Sequence, residues 1–164
     1  FLQIGQHVIC PCLNILCSHF ILLHKYLLKK RRALMKLVFT NGCFDIIHRG
    51  HIELLKYAKS CGDKLVVGLN SDNSVKRLKG ESRPIQSQED RKAILEAIRW
   101  VDEVVIFNEI TPINLIKSLT PDIIVKGGDY KVDEVVGHKI AEVKIFELID
   151  GLSTTKTFEN ISNR

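Results

Sequence analysis

Residues 36–55 read KLVFTNGCFDIIHRGHIELL, and this stretch decides the fold. An apolar run at 37–39 breaks at Thr40-Asn41-Gly42, and residues 48–51 stand at the edge of a segment with helical apolar periodicity. The pattern is typical of a strand, a loop and a helix in succession. Because the first N–H groups of a helix lack partners and its dipole is positive there, the turn predicts an anion site.

Two histidines, His48 and His51, are three residues apart in this turn and so share one face of the helix. Gly50 between them lets a ligand approach the backbone closely. Taken alone, the pair fits phosphate contacts, metal ligands or two solvated histidines at a helix start. A metal site needs a third ligand, and neither Cys43 nor Cys61 belongs to a C-x-x-C pattern.

The charge of the chain is unevenly distributed. Its 164 residues, enough for one domain with its own core, carry a formal net charge of +5 from 24 basic and 19 acidic residues. Five of the basic residues and none of the acidic ones fall within residues 1–34, so the remainder is formally neutral. A neutral body gives little electrostatic support to general nucleic-acid binding.

Residues 1–34 differ in kind from the rest. They hold three of the five cysteines, an interrupted apolar run at 15–28, and then a KKRR cluster. The run is short of the roughly 20 apolar residues of a spanning helix, and a cleaved signal peptide would place its basic residues first. We expect a functional domain at 35–164, beginning at Met35. The extension is then a linker, a fusion remnant or upstream translation rather than a weak membrane anchor.

Strands and helices alternate after Met35. Further strands are predicted at 64–70, 103–107, 123–126 and 143–148. Helices are predicted over 71–78, after a Ser87 cap, over 111–119 with Thr111 as the cap, and from about Ser153. In the helix after Ser87, the predicted apolar stripe is Ala93, Ile94, Ala97 and Ile98. The alternation predicts an α/β fold, a Rossmann-like five-stranded parallel sheet with helices on both faces.

Ligands of such sheets bind beyond the carboxyl ends of the strands, where the strand order reverses. Residues 40–51, 126–130 and 150–155 should meet there. Each stretch also has a plainer interpretation: Gly127-Gly128 as a turn, Ser153 as a simple helix cap, and the basic cluster at 76–83 as a solvated face. The functional interpretations are a second phosphate cradle at 153–155 and a lysine-rich loop over a triphosphate.

The order of the motifs along the chain narrows the choice of protein family. TNGCFDIIHRGH, LNSDNSVKRLKGESRP, EDR, PDIIVKGGDY and DGLSTT follow one another within residues 36–160. The first resembles the H-x-G-H nucleotidyltransferases, the cytidylyltransferase-like family, and the series resembles the adenylyltransferase domains of bacterial ADP-heptose synthases. H-x-G-H identifies only the superfamily, whereas NSDxSxxRLKGxxRP and VKGGDY are more specific. The sugar-kinase domain that often precedes this domain cannot fit in 34 residues, so the chain resembles a stand-alone adenylyltransferase or a fragment of the fused form.

The resemblance implies transfer of AMP from ATP to D-glycero-β-D-manno-heptose 1-phosphate, releasing pyrophosphate, for lipopolysaccharide core biosynthesis. Mg²⁺ would bind to the triphosphate and be coordinated largely by substrate oxygens. The acceptor phosphate is already ionised at neutral pH, so positioning and charge stabilisation would suffice for catalysis. The expected partners are ATP and a sugar 1-phosphate, without nucleic acid or membrane, in the cytoplasm, and the terminal segment could pack against a partner subunit of a homo-oligomer.

The resemblance also assigns residues to roles. Catalytic contacts with the phosphates fall to His48, His51 and Lys79. Nucleotide and phosphate binding falls to Thr40, Asn41, Gly42, Cys43, Phe44, Gly50, Arg91, Lys126, Gly127, Ser153, Thr154 and Thr155. Sugar-phosphate binding falls to Asp45, Gly128, Asp129 and Tyr130.

Three alternatives remain open at this point. One is a cytidylyltransferase acting on glycerol 3-phosphate or another small phosphoester, against which VKGGDY favours the heptose enzyme. Another is a nucleotide-binding module without catalysis, which would bind ATP tightly and not turn over. The third is a membrane-associated interaction protein, and it rests on residues 1–34 alone.

Overall fold

The computed structural model describes residues 35–128 and 130–147, and a five-stranded parallel sheet runs through them. Its strands are β1 (Leu37–Gly42), β2 (Lys64–Asn70), β3 (Glu103–Phe107), β4 (Ile123–Gly127) and β5 (Glu142–Phe146). The helices are α1 (Arg49–Ser60), α2 (Asp72–Lys79), α3 (Gln88–Glu96) and α4 (Ile113–Leu119), and a 3-10 turn spans Val132–Glu134. The predicted α/β class is confirmed.

The order of the strands is β3-β2-β1-β4-β5, and every neighbouring pair is parallel. β1 pairs with β2 on one side, where Leu37 faces Lys64, and with β4 on the other, where Val38 faces Ile123. The order therefore reverses between β1 and β4. The turn after β1 and the loop after β4 lie at this switch point, as the sequence predicts.

Apolar side chains cover both faces of the sheet. Val38 and Val67 pack with Leu55 of α1 and Leu95 of α3 in one cluster. The next residue along β1, Phe39, belongs to a second cluster on the opposite face, together with Val66, Ile116 of α4 and Ile124. Since successive residues of a strand point to opposite faces, these near-continuous apolar runs are what a doubly covered parallel sheet requires.

The first strand is longer than predicted. Thr40, Asn41 and Gly42 continue the parallel pairing with β2 through Val67, Gly68 and Leu69, so β1 ends at Gly42 rather than breaking at Thr40. Helix α4 begins one residue later than predicted. Its first bond runs from the Ile116 N–H to the Pro112 carbonyl oxygen at 2.9 Å, which makes Pro112 the cap in place of Thr111.

The predicted stripe of α3 is wrong. Ser87 caps this helix as expected, accepting the Asp90 N–H at 3.1 Å. The buried positions are Arg91 and Leu95, while the predicted stripe members Ala93, Ile94 and Ala97 are exposed and only Ile98 is half-buried. Compared with the prediction, α3 turns a different face towards the core, because the buried Arg91 side chain is hydrogen-bonded inside the domain.

In the part of the chain that the structure describes, no helix is long and apolar enough to cross a membrane. The extension at residues 1–34 and the helix predicted from Ser153 lie outside the described residues.

Candidate active site

The start of α1 brings the two histidines into contact. His48 is the N-cap with an extended backbone, and His51 is the third residue of the helix. Their rings stack with centroids 3.9 Å apart and an interplanar angle of 27°. The Phe44 ring also contacts His51, tilted at 58° with a centroid distance of 5.1 Å. The predicted shared face is confirmed.

Backbone amides orient both rings. The Gly50 N–H donates to His48 Nδ1 at 3.1 Å, and the His48 N–H donates to His51 Nδ1 at 3.4 Å. A ring nitrogen that accepts from an amide carries no proton, so this pattern assigns the proton of each neutral imidazole to Nε2. Both histidines therefore present an N–H donor. The sequence predicts that Gly50 contacts the nucleotide or its phosphates. Its N–H is instead bonded to His48 Nδ1, so this amide is not free to donate to a ligand.

Burial keeps both histidines neutral. It lowers the pKa of His48, and it is the largest of three causes that lower the pKa of His51 to about 4, followed by the charges of His48 and Lys79. His51 is thus uncharged at physiological pH. Lys79 ends α2, is exposed, and is near enough for its charge to act on His51. The structure brings together the three residues predicted to be catalytic.

Phe44 holds the turn after β1 in a tight conformation. Its φ is +45°, in the left-handed region, and its side chain is buried in the cluster beneath α1. A Cβ on Gly42 would come within 3.1 Å of the Phe44 ring, so residue 42 has little room for a side chain. The Phe44 ring is a packing element, and only its backbone could hold a nucleotide.

Arg91 does not have the anion-binding role predicted for it. Its side chain is fully buried, and it donates to the Cys43 carbonyl at 2.5 Å, to the Gln86 carbonyl at 3.1 Å and to the Asp72 carboxylate at 2.7 Å. These three partners occupy the guanidinium. Since the C=O and N–H of a trans peptide point in opposite directions, Arg91 also turns the Phe44 N–H away from itself.

Asp45 is likewise unavailable to a sugar phosphate, in contrast to the prediction. It is 2% exposed, its Oδ2 lies 2.6 Å from Nη2 of Arg83, and its Oδ1 accepts the N–H groups of Ile85 and Gln86 at 2.8 and 3.0 Å. The carboxylate pins residues 83–86 to the turn after β1. Arg83 is therefore not part of a solvated face.

Sequence reasoning missed Arg83 and Asp72 as the partners of these two buried charges. Each lies far along the chain from its partner, and neither stands in a pattern that predicts the pairing. Of the other basic residues in the 76–83 cluster, Lys76, Arg77 and Lys79 are exposed, as a solvated face predicts.

Thr40 is also misplaced by the prediction. It is fully buried, and within the described residues its Oγ1 has no hydrogen-bond partner. By the alternation of β1 it lies on the same face as Val38, beneath α1. A ligand cannot reach this hydroxyl.

The carboxyl end of β4 meets β1 as predicted. Lys126 Nζ lies 3.2 Å from Asn41 Oδ1 and 3.4 Å from the Asn41 carbonyl oxygen, and it lies 5.7 Å from the ring centre of Tyr130, which is 48% exposed. Gly127 pairs with Phe146 of β5. Gly128 follows with φ +126° and donates its N–H to the Phe146 carbonyl at 3.1 Å. The positive φ explains a glycine here.

Four predicted site residues, Asp129, Ser153, Thr154 and Thr155, lie outside the described residues. Across residues 35–128 and 130–147, no group of three or more His, Cys, Asp and Glu side chains could hold a metal ion. The described part of the site therefore consists of the histidine pair with Lys79 on one side of β1 and of Asn41 with Lys126 on the other.

The profile of the cytidylyltransferase-like family matches residues 39–162. The chain belongs to this family. The match begins within β1, extends past β5 and includes both histidines and Lys126, and it confirms the resemblance that the H-x-G-H turn indicates.

Individual relatives agree. The bifunctional protein HldE of Wolinella succinogenes is 57% identical over 127 residues, which are 77% of this chain and 27% of that protein. That of Helicobacter pylori is 54% identical over 140 residues, 85% of this chain and 30% of that protein. The chain thus spans less than a third of the length of these relatives. A lipopolysaccharide core biosynthesis protein from Thermoplasma volcanium superposes with a TM-score of 0.59 and 33% identity, covering 70% of this chain and 97% of that one.

Proposed function

We propose that this domain transfers AMP from ATP to D-glycero-β-D-manno-heptose 1-phosphate, giving ADP-heptose and pyrophosphate. The observation that carries the proposal is the stacked pair His48 and His51, two neutral rings whose Nε2–H groups are donors, with the Lys79 charge acting on His51. The names of the HldE relatives and of the lipopolysaccharide core protein support the substrate class and a role in heptose-glycan biosynthesis.

The histidines would act as hydrogen-bond donors to phosphate oxygens. Protonation of either ring at Nδ1 would break the backbone bond that orients it, so the neutral Nε2–H form is the one held ready for an anion. Donors fixed before the reaction stabilise charge without reorganising, and one such donor is worth roughly 10²- to 10³-fold in rate. His51 and His48 would thus donate hydrogen bonds to the phosphoryl group being transferred.

Lys79 would add a full positive charge from the exposed end of α2. An exposed lysine on a flexible stem can follow the triphosphate as charge moves onto the leaving pyrophosphate. A sugar 1-phosphate is ionised at neutral pH and needs no general base. Most of the catalysis would therefore come from holding its phosphate in line with the α-phosphorus of ATP. The described site accordingly contains donors and cations around the switch point rather than an acid–base pair.

Mg²⁺ fits this scheme as a companion of ATP. The described residues form no three-ligand cluster, and a hard cation of this kind is commonly held by substrate phosphates and water. When bound, it would supply charge neutralisation at the triphosphate. We place the reaction in the cytoplasm, where ATP and sugar phosphates are available.

Pyrophosphate release tests the proposal. The full chain is offered ATP, CTP or GTP, each with the heptose 1-phosphate or with glycerol 3-phosphate. We expect release with ATP and the heptose phosphate only. His51→Ala should lower kcat by roughly 10²- to 10³-fold, whereas the exposed His138→Ala should leave it unchanged.

Two results would contradict the proposal. Release with CTP and glycerol 3-phosphate alone would make the protein a cytidylyltransferase. Folded protein that binds ATP and releases no pyrophosphate with any pair would be a nucleotide-binding module without this catalysis.

A further inference from the structure

Arg91 connects three separate segments of the domain, one through each of its nitrogen atoms. Its Nη1 donates to the Cys43 carbonyl in the turn after β1 at 2.5 Å, and its Nε donates to the Gln86 carbonyl ahead of α3 at 3.1 Å. Its Nη2 donates to the Asp72 carboxylate at the start of α2 at 2.7 Å. The side chain is fully buried, so any effect of Arg91 on a substrate must pass through these three partners.

The bond to Cys43 sets the direction of the next backbone N–H. The C=O of Cys43 and the N–H of Phe44 belong to one trans peptide and point in opposite directions. Because Arg91 holds the carbonyl, the Phe44 N–H points away from it, and within the described residues this N–H has no hydrogen-bond acceptor. A phenylalanine at φ +45° keeps this backbone conformation only where its surroundings hold it. Arg91 therefore fixes an open amide donor in a strained turn.

Gln86 supports the other side of the same turn. Its carbonyl oxygen accepts from Arg91, and its N–H donates to the carboxylate of Asp45, the residue after Phe44. Phe44 thus lies between two anchored neighbours. Cys43 is bonded to Arg91 directly, and Asp45 is connected to Arg91 through Gln86.

The bond to Asp72 extends the network to Lys79. Asp72 is the first residue of α2 and Lys79 the last, about 10 Å further along the helix axis. A short helix is a rigid element, so fixing its first residue also limits where its last one can lie. The charge of Lys79 in turn contributes to the low pKa of His51. Arg91 is therefore bonded to both segments that supply a phosphate contact, the turn after β1 and α2.

We propose that Arg91 is a positioning residue for the phosphoryl transfer, holding the Phe44 N–H and the Lys79 ammonium where the triphosphate meets them. The inference rests on the proposed function. In this role Arg91 acts on the triphosphate through two other residues, whereas the sequence predicts a direct anion contact. The consequence is that kcat depends on Arg91 even in protein that remains folded, which a contribution to stability alone would not produce.

Three variants of the full chain test this role. Arg91→Met removes all three bonds. Arg91→Lys keeps a charge for Asp72, but its single nitrogen cannot replace a planar fork that reaches three partners. Ile116→Ala is the stability control, because Ile116 is fully buried on α4 at the opposite face of the sheet, where truncation costs stability through a cavity. Urea unfolding ranks the variants, and kinetics are measured where each is folded.

We expect Arg91→Met to lower the kcat of pyrophosphate release by roughly 10²-fold, the loss that a misplacement of about 1 Å predicts. The kcat of Arg91→Lys should fall between that of Arg91→Met and that of the native protein. Ile116→Ala should lose stability and retain the native kcat. In protein labelled with 15N-phenylalanine, ATP with Mg²⁺ should shift the Phe44 amide proton downfield, and this shift should be smaller in Arg91→Met.

A native kcat in folded Arg91→Met, or an equal loss of kcat in Ile116→Ala, would overturn the inference and leave the adenylyl transfer in place. A native Phe44 amide that does not respond to ATP would overturn it as well. If Arg91→Met does not fold, a native kcat and a native Phe44 shift in Arg91→Lys have the same consequence. Native protein whose Phe44 amide shifts with ATP but which releases no pyrophosphate would refute the adenylyl transfer alone.

Discussion

The Nδ1 atom of His51 can take up a proton only by giving up the His48 N–H bond at 3.4 Å. The same ring packs against both Phe44 and His48, and its burial removes water from it. Both effects favour the neutral imidazole. The residue is thereby held in its donor form across the whole physiological range of pH.

The low pKa of His51 predicts how stability depends on pH. Its folded pKa is about 4 and its ordinary value is 6.5, so between these values the unfolded chain binds the proton and the folded chain does not. Stability is therefore lost as pH falls from 6.5 towards 4, by an amount on the order of 2–3 kcal/mol from this residue. His51→Asn removes the titration, and urea unfolding at several pH values should show a shallower acid loss for this variant.

His138→Asn is the control for that measurement, because His138 is an exposed histidine elsewhere in the domain. It should retain the native slope. Parallel pH dependences for the native protein and His51→Asn would contradict the assignment of a low pKa to His51.

Arg91 gives a second prediction at the residue scale. Arg91→Met leaves the Cys43 and Gln86 carbonyls without their donor and Asp72 without its cation, and breaking such a buried pair costs about 3 kcal/mol or more. Lys92→Met changes the next residue, whose solvent-accessible ion pair with Glu96 is worth less than about 0.5 kcal/mol. Urea unfolding should separate the two. A cost for Arg91→Met as small as that of Lys92→Met would refute the structural role.

At the scale of elements, the segment between α2 and α3 is tied to the turn after β1 through Asp45. One carboxylate accepts two backbone N–H groups from this segment and faces the Arg83 guanidinium. The segment begins directly after Lys79. Fixing residues 83–86 thus limits how far Lys79 and the residues after it can move from the histidines.

Asp45→Asn should loosen this connection. The amide oxygen can still accept from Ile85 and Gln86, but the ion pair with the half-buried Arg83 is lost, at a cost of about 3 kcal/mol. Trypsin should cleave after Lys79 faster than in the native protein. Asp90→Asn, at the exposed start of α3, should cost less than about 1 kcal/mol and leave the cleavage rate unchanged. Equal rates for Asp45→Asn and the native protein would argue against the connection.

Elements built from continuous apolar runs could be read from the sequence. β2 and β3 have the predicted bounds, because each is a buried run closed by turn residues. The buried face of α3 could not be read, since it depends on Arg91 reaching Cys43, 48 positions away. The predictions for Asp45 and Thr40 are wrong for the same reason. Polar residues next to the predicted site suggested ligand contact, and only the tertiary packing shows that both side chains are buried within the protein.

In the whole molecule, the two ends of the parallel strands have different roles: the amino ends contribute to stability and the carboxyl ends hold the candidate site. At the amino ends, the Leu37 N–H is bonded to Asp122, the Lys36 N–H to Asp63 and the Leu65 N–H to Asp102, so aspartates fasten the loops of that edge. At the carboxyl ends lie the histidines, Lys79 and Lys126. The switch point is thus the edge where these two lysines and the histidine donors are gathered.

Hydrogen exchange can test this division in one experiment. ATP with Mg²⁺ should slow amide exchange at residues 42–51, 79–86 and 126–128, because an anion bound at the switch point contacts or orders all three stretches. The amino-end loops around residues 62–64, 101–103 and 121–122 should exchange as before, since their aspartate bonds do not depend on a ligand. These loops serve as the internal control. Protection confined to the amino-end loops, or spread equally over both edges, would mean that the nucleotide does not bind at the switch point between β1 and β4.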